Sequence, residues 1–314
     1  MPSLVGSEMC IRDSDIPYAD ISDDGAFVAA VKARKDAHIP LISGLSTCPV
    51  LGAIGLREIE RKIGPVTDIT IGIAPSPKAE LGRNVVAAVA NYAGQDTVPI
   101  RRDNRLRQIA GLTETRPMTI CVPGDIPLPR VHFAVADAPD SVVLPDSFPA
   151  LTEIWTGAGT RPVWLLKLLV CLSKGVKRGL LPKLAPFADI FHRVRRLFAY
   201  GKHRGGFIIH GSNAQSEASW HLVAEGDHGP RIPALPVVAL IRQILRGDIP
   251  KAGAYSGDEI IDLEALAPEF AALDIDYGLQ YDGAALPIYE KIMGDAYDDF
   301  HPAVRELHLS LIHI

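Results

Sequence analysis

The stretch Tyr18-Ala-Asp-Ile-Ser-Asp-Asp24, answered further on by Ile39-Pro-Leu-Ile42 and Ser43-Gly-Leu-Ser-Thr-Cys-Pro49, decides the fold class. Tyr18 to Ile21 reads as a short strand. Ser22 is placed to cap a helix, with Asp23 and Asp24 in its first turn, where the helix dipole favours acids. Phe27, Ala30, Val31 and Arg34 follow helical spacing, and Lys32, Arg34 and Lys35 fall late, where the dipole favours bases. Ile39 to Ile42 reads as a second strand, and a second helix carries Val50, Ile54 and Ile59 to a stop near Gly64-Pro65. Strand, helix, strand, helix with short links is a βαβ unit, so the two strands are expected to be parallel. Neither strand alternates, as expected of a sheet covered on both faces.

From Val66 the texture changes. Val66 to Ile73 reads as a strand, and Gly82 to Tyr92 as a helix ending at Gly94. Short strands follow at Val98–Arg101, Leu106–Ile109, Met118–Val122, Val131–Val135 and Leu151–Trp155. Two more, Gly206–His210 and Trp220–Ala224, flank the turn-rich Gly211-Ser-Asn-Ala. Such a run implies a mixed or antiparallel sheet, an α+β arrangement. Pro233 to Leu245 returns to a helix with Gly247 at its end, and an acidic helix is expected over roughly Asp258 to Phe270. A new helical segment is expected to begin at Ile288, Tyr289, Ile292 and Met293.

At 314 residues, two domains are the natural expectation. Apolar residues at 47% and charged residues at 22% exclude a disordered chain. The cysteines, Cys10, Cys48, Cys121 and Cys171, are too widely spaced for a zinc site or a disulfide framework, so reduced thiols and a cytoplasmic setting are expected. Residues 1–14, MPSLVGSEMCIRDS, have neither the basic nor the apolar region of a signal peptide. They resemble translated sequencing-adapter read-through at the edge of an environmental reading frame, and the closing LSLIHI at 309–314 has the same look. Both ends are therefore expected to be non-native, with the natural protein starting upstream of Asp15 and running past His308.

No Gly-x-Gly-x-x-Gly fingerprint is present. The nearest approach, Gly157-Ala-Gly159 with Pro162 where the third glycine would fall, reads as a plain strand-to-helix turn. The sequence contains no Walker A motif, His-Glu-x-x-His, nucleophile elbow or EF-hand spacing, so no metal is expected. The loop Ser43 to Pro49 follows a parallel strand and opens a helix. Strand carboxyl ends and helix N-termini are where α/β sheets bind anionic ligands, and a Ser/Thr-rich capping turn is the equal alternative. Cys48 in that loop would be reactive if its pKa were lowered, and inert if buried. His221 and Glu225, with Asp227 and His228 in the following turn, are candidates for proton transfer. A strand histidine with a structural role is the competing reading.

The segment Arg161 to Arg204 holds eleven Lys/Arg against one acid, Asp189, a net charge of +10 inside a chain of −5. Trp164, Leu165, Leu168, Leu169 and Leu172 form a helical stripe within it, and Leu180 to Phe198 continues the apolar face. The apolar stretches are too short to span a bilayer. Such a segment either lies on an anionic membrane, peripheral to the inner membrane in a bacterium, or packs on the sheet or a sister subunit as a homodimer. Nucleic acid is not an expected partner, because the chain is acidic overall and its aromatics are not interleaved for stacking.

Taken in order, Tyr18 to Asp24 and Ser43 to Pro49 resemble the late dinucleotide-fold strands of saccharopine-dehydrogenase-like proteins. Gly205-Gly-Phe207, Trp220-His-Leu-Val-Ala-Glu-Gly226, Gly229-Pro-Arg-Ile-Pro-Ala-Leu-Pro236 and Arg246-Gly-Asp-Ile-Pro250 resemble the bacterial branch of that family. The resemblance covers roughly Asp15 to Leu279, and Pro287-Ile-Tyr289 to His308 is similar to the opening of a C-terminal domain that often follows. It implies an α/β protein: an incomplete Rossmann-type parallel sheet plus an α+β substrate domain. Residues 15–64 would be the C-terminal part of the NAD(P)-binding domain, 65–230 the substrate domain with its basic helices at 161–204, and 231–280 helices returning to the Rossmann side. Residues 281–308 would start the further domain. The resemblance implies an oxidoreductase using NAD(P), with NADP the expected form; it supplies no substrate, and a small molecule, apolar or a lipid, is expected. The cofactor would sit against Ser43, Gly44, Ser46, Thr47 and Pro49. Without the glycine loop this chain is expected to bind the dinucleotide weakly, and the lysine-pathway reaction does not follow from the family name.

Overall fold

The computed structural model describes residues 16–79, 82–197, 203–226 and 228–281. The expected adapter-like ends, the segment from 282 onward and Asp227 lie outside the described residues. Among the described residues the chain is an α/β protein of two compact units, the first made of those within 16–54, 138–149 and 231–270, the second of those within 55–137, 150–230 and 271–281.

The first unit is built on a three-stranded parallel sheet. β1 (Tyr18–Ala19) and β11 (Gly253–Ser256) flank β2 (Pro40–Ser43), each running parallel to it, with Ala19 opposite Ile42 and Ser256 opposite Ser43. The helix α1 (Gly25–Lys32) links β1 to β2, as the strand–helix–strand pattern requires. Its cap is Asp24 rather than Ser22. Asp24 Oδ1 accepts from the Ala26 and Phe27 amides, while the Ser22 hydroxyl accepts from the Asp24 amide. The helix α2 (Thr47–Ile63) is interrupted at Cys48, whose backbone is extended, and the first unit ends within it at Ile54.

Two elements of this unit depart from the sequence reading. Residues Asp140–Ser147 form a helix, α4, where no helix was expected, and they join the first unit from the middle of the second. β11 is the other, a strand too short and too poor in β-branched residues to be seen from propensity. The acidic helix is two pieces, α8 (Gly257–Ile260) and α9 (Leu263–Ala272), preceded by α7 (Leu235–Leu245).

The second unit carries a mixed nine-stranded sheet in the order β12-β10-β9-β3-β8-β4-β5, with β6 and β7 joined to it through β8. These strands are β3 (Asp68–Ala74), β4 (Asp96–Arg102), β5 (Arg105–Ala110), β6 (Thr115–Ile120), β7 (Leu128–Val135), β8 (Glu153–Gly159), β9 (Arg204–Ser212), β10 (Glu217–Glu225) and β12 (Ile275–Tyr281). Only β3 and β8 pair in parallel. Gly157 and Gly159, read from the sequence as a turn, lie inside β8. β8 divides the sheet: Ile154 pairs with β4, whereas Gly157 to Gly159 pair with β7. Ile120, Val131, Phe133, Trp155, Ile208 and Val223 fill the core between these branches. A second core sets α3 (Arg83–Tyr92) and α5 (Val163–Lys177) together through Ala90, Ala93, Leu166, Val170 and Val176.

Gly55 shows how closely the part of α2 in this unit is packed. A Cβ there would meet Ile209 Cδ1 at 2.5 Å and Trp220 Cε3 at 2.9 Å, so only glycine lets the helix backbone reach the sheet. Trp220 in turn packs edge-on against Phe207 at 6.4 Å and against Tyr277 at 6.0 Å.

Candidate functional site

The carboxyl ends of β1, β2 and β11 meet at the loop Ser43 to Pro49. Asp20, just past β1, holds the loop in place. Its Oδ1 accepts from the Ser43 hydroxyl at 3.0 Å, the Gly44 amide at 3.1 Å and the Ser22 amide at 2.8 Å. Gly44 has φ +76°, and its carbonyl lies so close to Gly257 that a Cβ on that residue would stand 2.6 Å away. The ends of β2 and β11 therefore touch backbone to backbone.

Of the five residues expected to face a cofactor, Ser43, Gly44, Ser46 and Pro49 are buried and only Thr47 is partly exposed. The Ser43 hydroxyl is bound to Asp20, and Ser46 lies beside the Asp23 carboxylate. The described residues include no glycine-rich turn whose amides could cradle a pyrophosphate. They do not by themselves fit a dinucleotide.

The same edge gathers acids that no motif announced. Asp140, in the first turn of α4, is fully buried, and its carboxyl faces the thiol of Cys48 without reaching full hydrogen-bond geometry. Burial above all pushes the Asp140 pKa up to about 7, with Asp23 and Asp258 adding repulsion. Burial, then the neighbouring Asp140, pushes the Cys48 thiol well above its usual range. Cys48 is thus an inert buried thiol, the second of the two readings its sequence allowed. Asp258 is buried too, accepting from the Ser147 hydroxyl at 2.7 Å, and burial raises its pKa. Lys32 closes the group from α1, 3.0 Å from Asp146 and 3.4 Å from Glu259.

In the second unit, His221 lies on β10 and is 1% exposed. Its Nδ1 accepts from the Cys121 amide at 3.2 Å, which places the ring proton on Nε2. Burial first, then repulsion from His210, lowers its pKa to about 4, so it is neutral at physiological pH. Glu225 is four residues along the strand, about 13 Å away at the rise of an extended chain. It is 62% exposed and pairs with Arg204 Nε at 2.9 Å. The structure does not bring His221 and Glu225 together. Arg204 is 8% exposed, and its main partners are the Asp125 carboxylate and the Ile126 carbonyl.

A shallow groove opens where β4 leaves β8, lined by Asp68, Arg101, Arg102, Arg116 and Trp155 among others. Its cations are largely engaged: Arg102 with Glu114 at 3.1 Å, Arg116 over the Trp155 ring at 4.8 Å, and Arg101 with Asn104 at 3.0 Å. Among the described residues no group of three or more metal-ligating side chains occurs, and no helix is long and apolar enough to cross a membrane.

Fold and site together define a two-unit α/β protein with a parallel and a mixed sheet. Compared with models of known protein families and with curated proteins, the chain matches none.

Proposed function

We propose that this chain belongs to an NAD(P)-dependent oxidoreductase of the saccharopine-dehydrogenase-like kind. In this reading the first unit contributes the later parallel strands of a dinucleotide-binding domain, and the second contributes the substrate side. The observation that carries the reading is the chain's return: after the mixed sheet it re-enters the first unit and adds β11 parallel to β2, with Ser256 opposite Ser43. A crossing back to the cofactor side is what the ordered sequence resemblance implied. The motifs in β1, in the Ser43 to Pro49 loop and in β10 add to it.

In this reading the hydride chemistry would belong to the cofactor, and the protein would supply orientation and a dry setting. What this chain offers is a rigid carboxyl edge, tied by Asp20, and a buried carboxyl at Asp140 that holds a proton near neutral pH. In this reading the substrate is a small molecule. Thermal unfolding of the product of the complete reading frame, in the presence of NADPH or NADH, tests the reading. A ligand bound only by the folded state raises the midpoint with concentration. No rise with either dinucleotide would contradict the reading.

A further inference from the structure

We propose that the outward side of α5 and the segment after it, as far as Arg193, is a docking surface for an anionic membrane. The proposal is independent of the oxidoreductase reading. The inner side of α5 is spent on the second core, where Leu166, Val170 and Val176 are buried. The outer side then carries Trp164 and Leu168, one turn apart and 44% and 48% exposed. The chain beyond carries further exposed apolar side chains, Leu180 at 75%, Phe187 at 40% and Ile190 at 54%. Trp164 and Leu168, one turn apart on one helix, present an exposed apolar pair of the kind a contact surface uses.

The charge around them selects the occupant. Lys167, Lys174, Lys177, Arg178, Lys183 and Arg193 are all exposed between these apolar residues. The one acid in the segment, Asp189, is neutralised by Arg83, which grips it through Nε at 2.5 Å and Nη2 at 2.8 Å. A second copy docked face to face about a two-fold axis would set this cationic patch against its own image. An anionic bilayer offers the complementary charge, apolar depth for Trp164 and Leu168, and room for lysine stems to reach up to the headgroups. Contact is peripheral, in keeping with the lack of a membrane-crossing helix among the described residues.

Trp155 and Trp220 are 2% and 1% exposed, so a change in tryptophan emission on binding reports Trp164. The test is co-sedimentation of the chain with vesicles of phosphatidylcholine alone, or with about a third phosphatidylserine. Two variants accompany it, Lys167→Glu/Lys174→Glu/Arg178→Glu and Leu168→Ser/Leu180→Ser/Ile190→Ser, with circular dichroism to show that each is folded. The chain is expected to sediment with the anionic vesicles only, with a blue shift in emission and weakening in high salt. Each cation removed should weaken binding by about fivefold, and the serine variant should lose the blue shift. The proposal is overturned if the folded chain stays in the supernatant with anionic vesicles, or if both variants bind as the parent does. It is equally overturned if sedimentation equilibrium shows a dimer that both variants dissociate while vesicles capture nothing.

Discussion

The carboxyl of Asp140 faces the thiol of Cys48 in a site closed to water, the two residues being 0% and 4% exposed. Neither group is at ease there as an anion. The folded-state pKa of Asp140 is about 7 against 3.8 when exposed, so folding favours its protonated form. Its contribution to stability is fully present below pH 3.8 and is lost as the pH rises through about 7, an amount of about 4 kcal/mol. Asp140→Asn removes the titration. The stability difference between parent and variant, from urea midpoints, should therefore drift steadily in the variant's favour between these two pH values. A constant difference would show that Asp140 is ionised without penalty.

His221 gives the opposite slope. Its folded pKa of about 4 lies below the usual 6.5, so its contribution is present above pH 6.5 and is lost as the pH falls towards 4. The loss amounts to about 3 kcal/mol. His221→Asn keeps an acceptor for the Cys121 amide and cannot take up a proton in this range. The variant should resist acid better than the parent relative to their stabilities at neutral pH. Parallel acid-unfolding curves for the two proteins would refute the assignment.

Arg204 separates two acids that look alike in the sequence. Asp125 has an 18% exposed side chain and meets a guanidinium that is 8% exposed, whereas Glu225 is 62% exposed. Removing a buried partner strands a charge, at a cost of about 3 kcal/mol or more, while an exposed pair contributes below about 1 kcal/mol. Asp125→Ala should therefore lower the denaturation midpoint far more than Glu225→Ala. Equal effects would mean that solvent, not Asp125, satisfies Arg204.

Gly55→Ala places a methyl against Ile209 and Trp220 in the second unit. Alanine's helix propensity returns about 1 kcal/mol, but overpacking a rigid contact costs about 1–3 kcal/mol, so the net effect is destabilising. Gly64→Ala, at an open site with φ +80°, is strained for a different reason and should leave the near-ultraviolet signal of Trp220 unchanged. Gly55→Ala should alter that signal, and a variant as stable as the parent would contradict the packing described.

The parallel pair β1 and β2 was legible because capping residues, a helical spacing and two short apolar runs all pointed one way. The choice of cap was not, since Ser22, Asp23 and Asp24 can each cap and only side-chain geometry selects Asp24. α4 escaped notice because Asp-Ser-Val-Val-Leu-Pro-Asp-Ser, with Pro145 inside it, has no amphipathic period. β11 escaped because its strand character comes from pairing with β2 rather than from its residues. The loop Ser43 to Pro49 was located correctly at a strand end, but periodicity says nothing of where a serine hydroxyl is spent. Asp140 left no local trace at all, since its meaning depends on Cys48, far away in the chain. The exposed apolar stripe of α5 was visible as a pattern, and the structure resolved which of its leucines face the core.

The central claim is that the first unit is part of a dinucleotide-binding sheet. Its most direct test is an equilibrium titration with NADPH and with NADH, following nucleotide fluorescence, on the product of the complete reading frame. The reading predicts saturable binding, on the order of micromolar. Absence of binding to either nucleotide by the folded protein would contradict it.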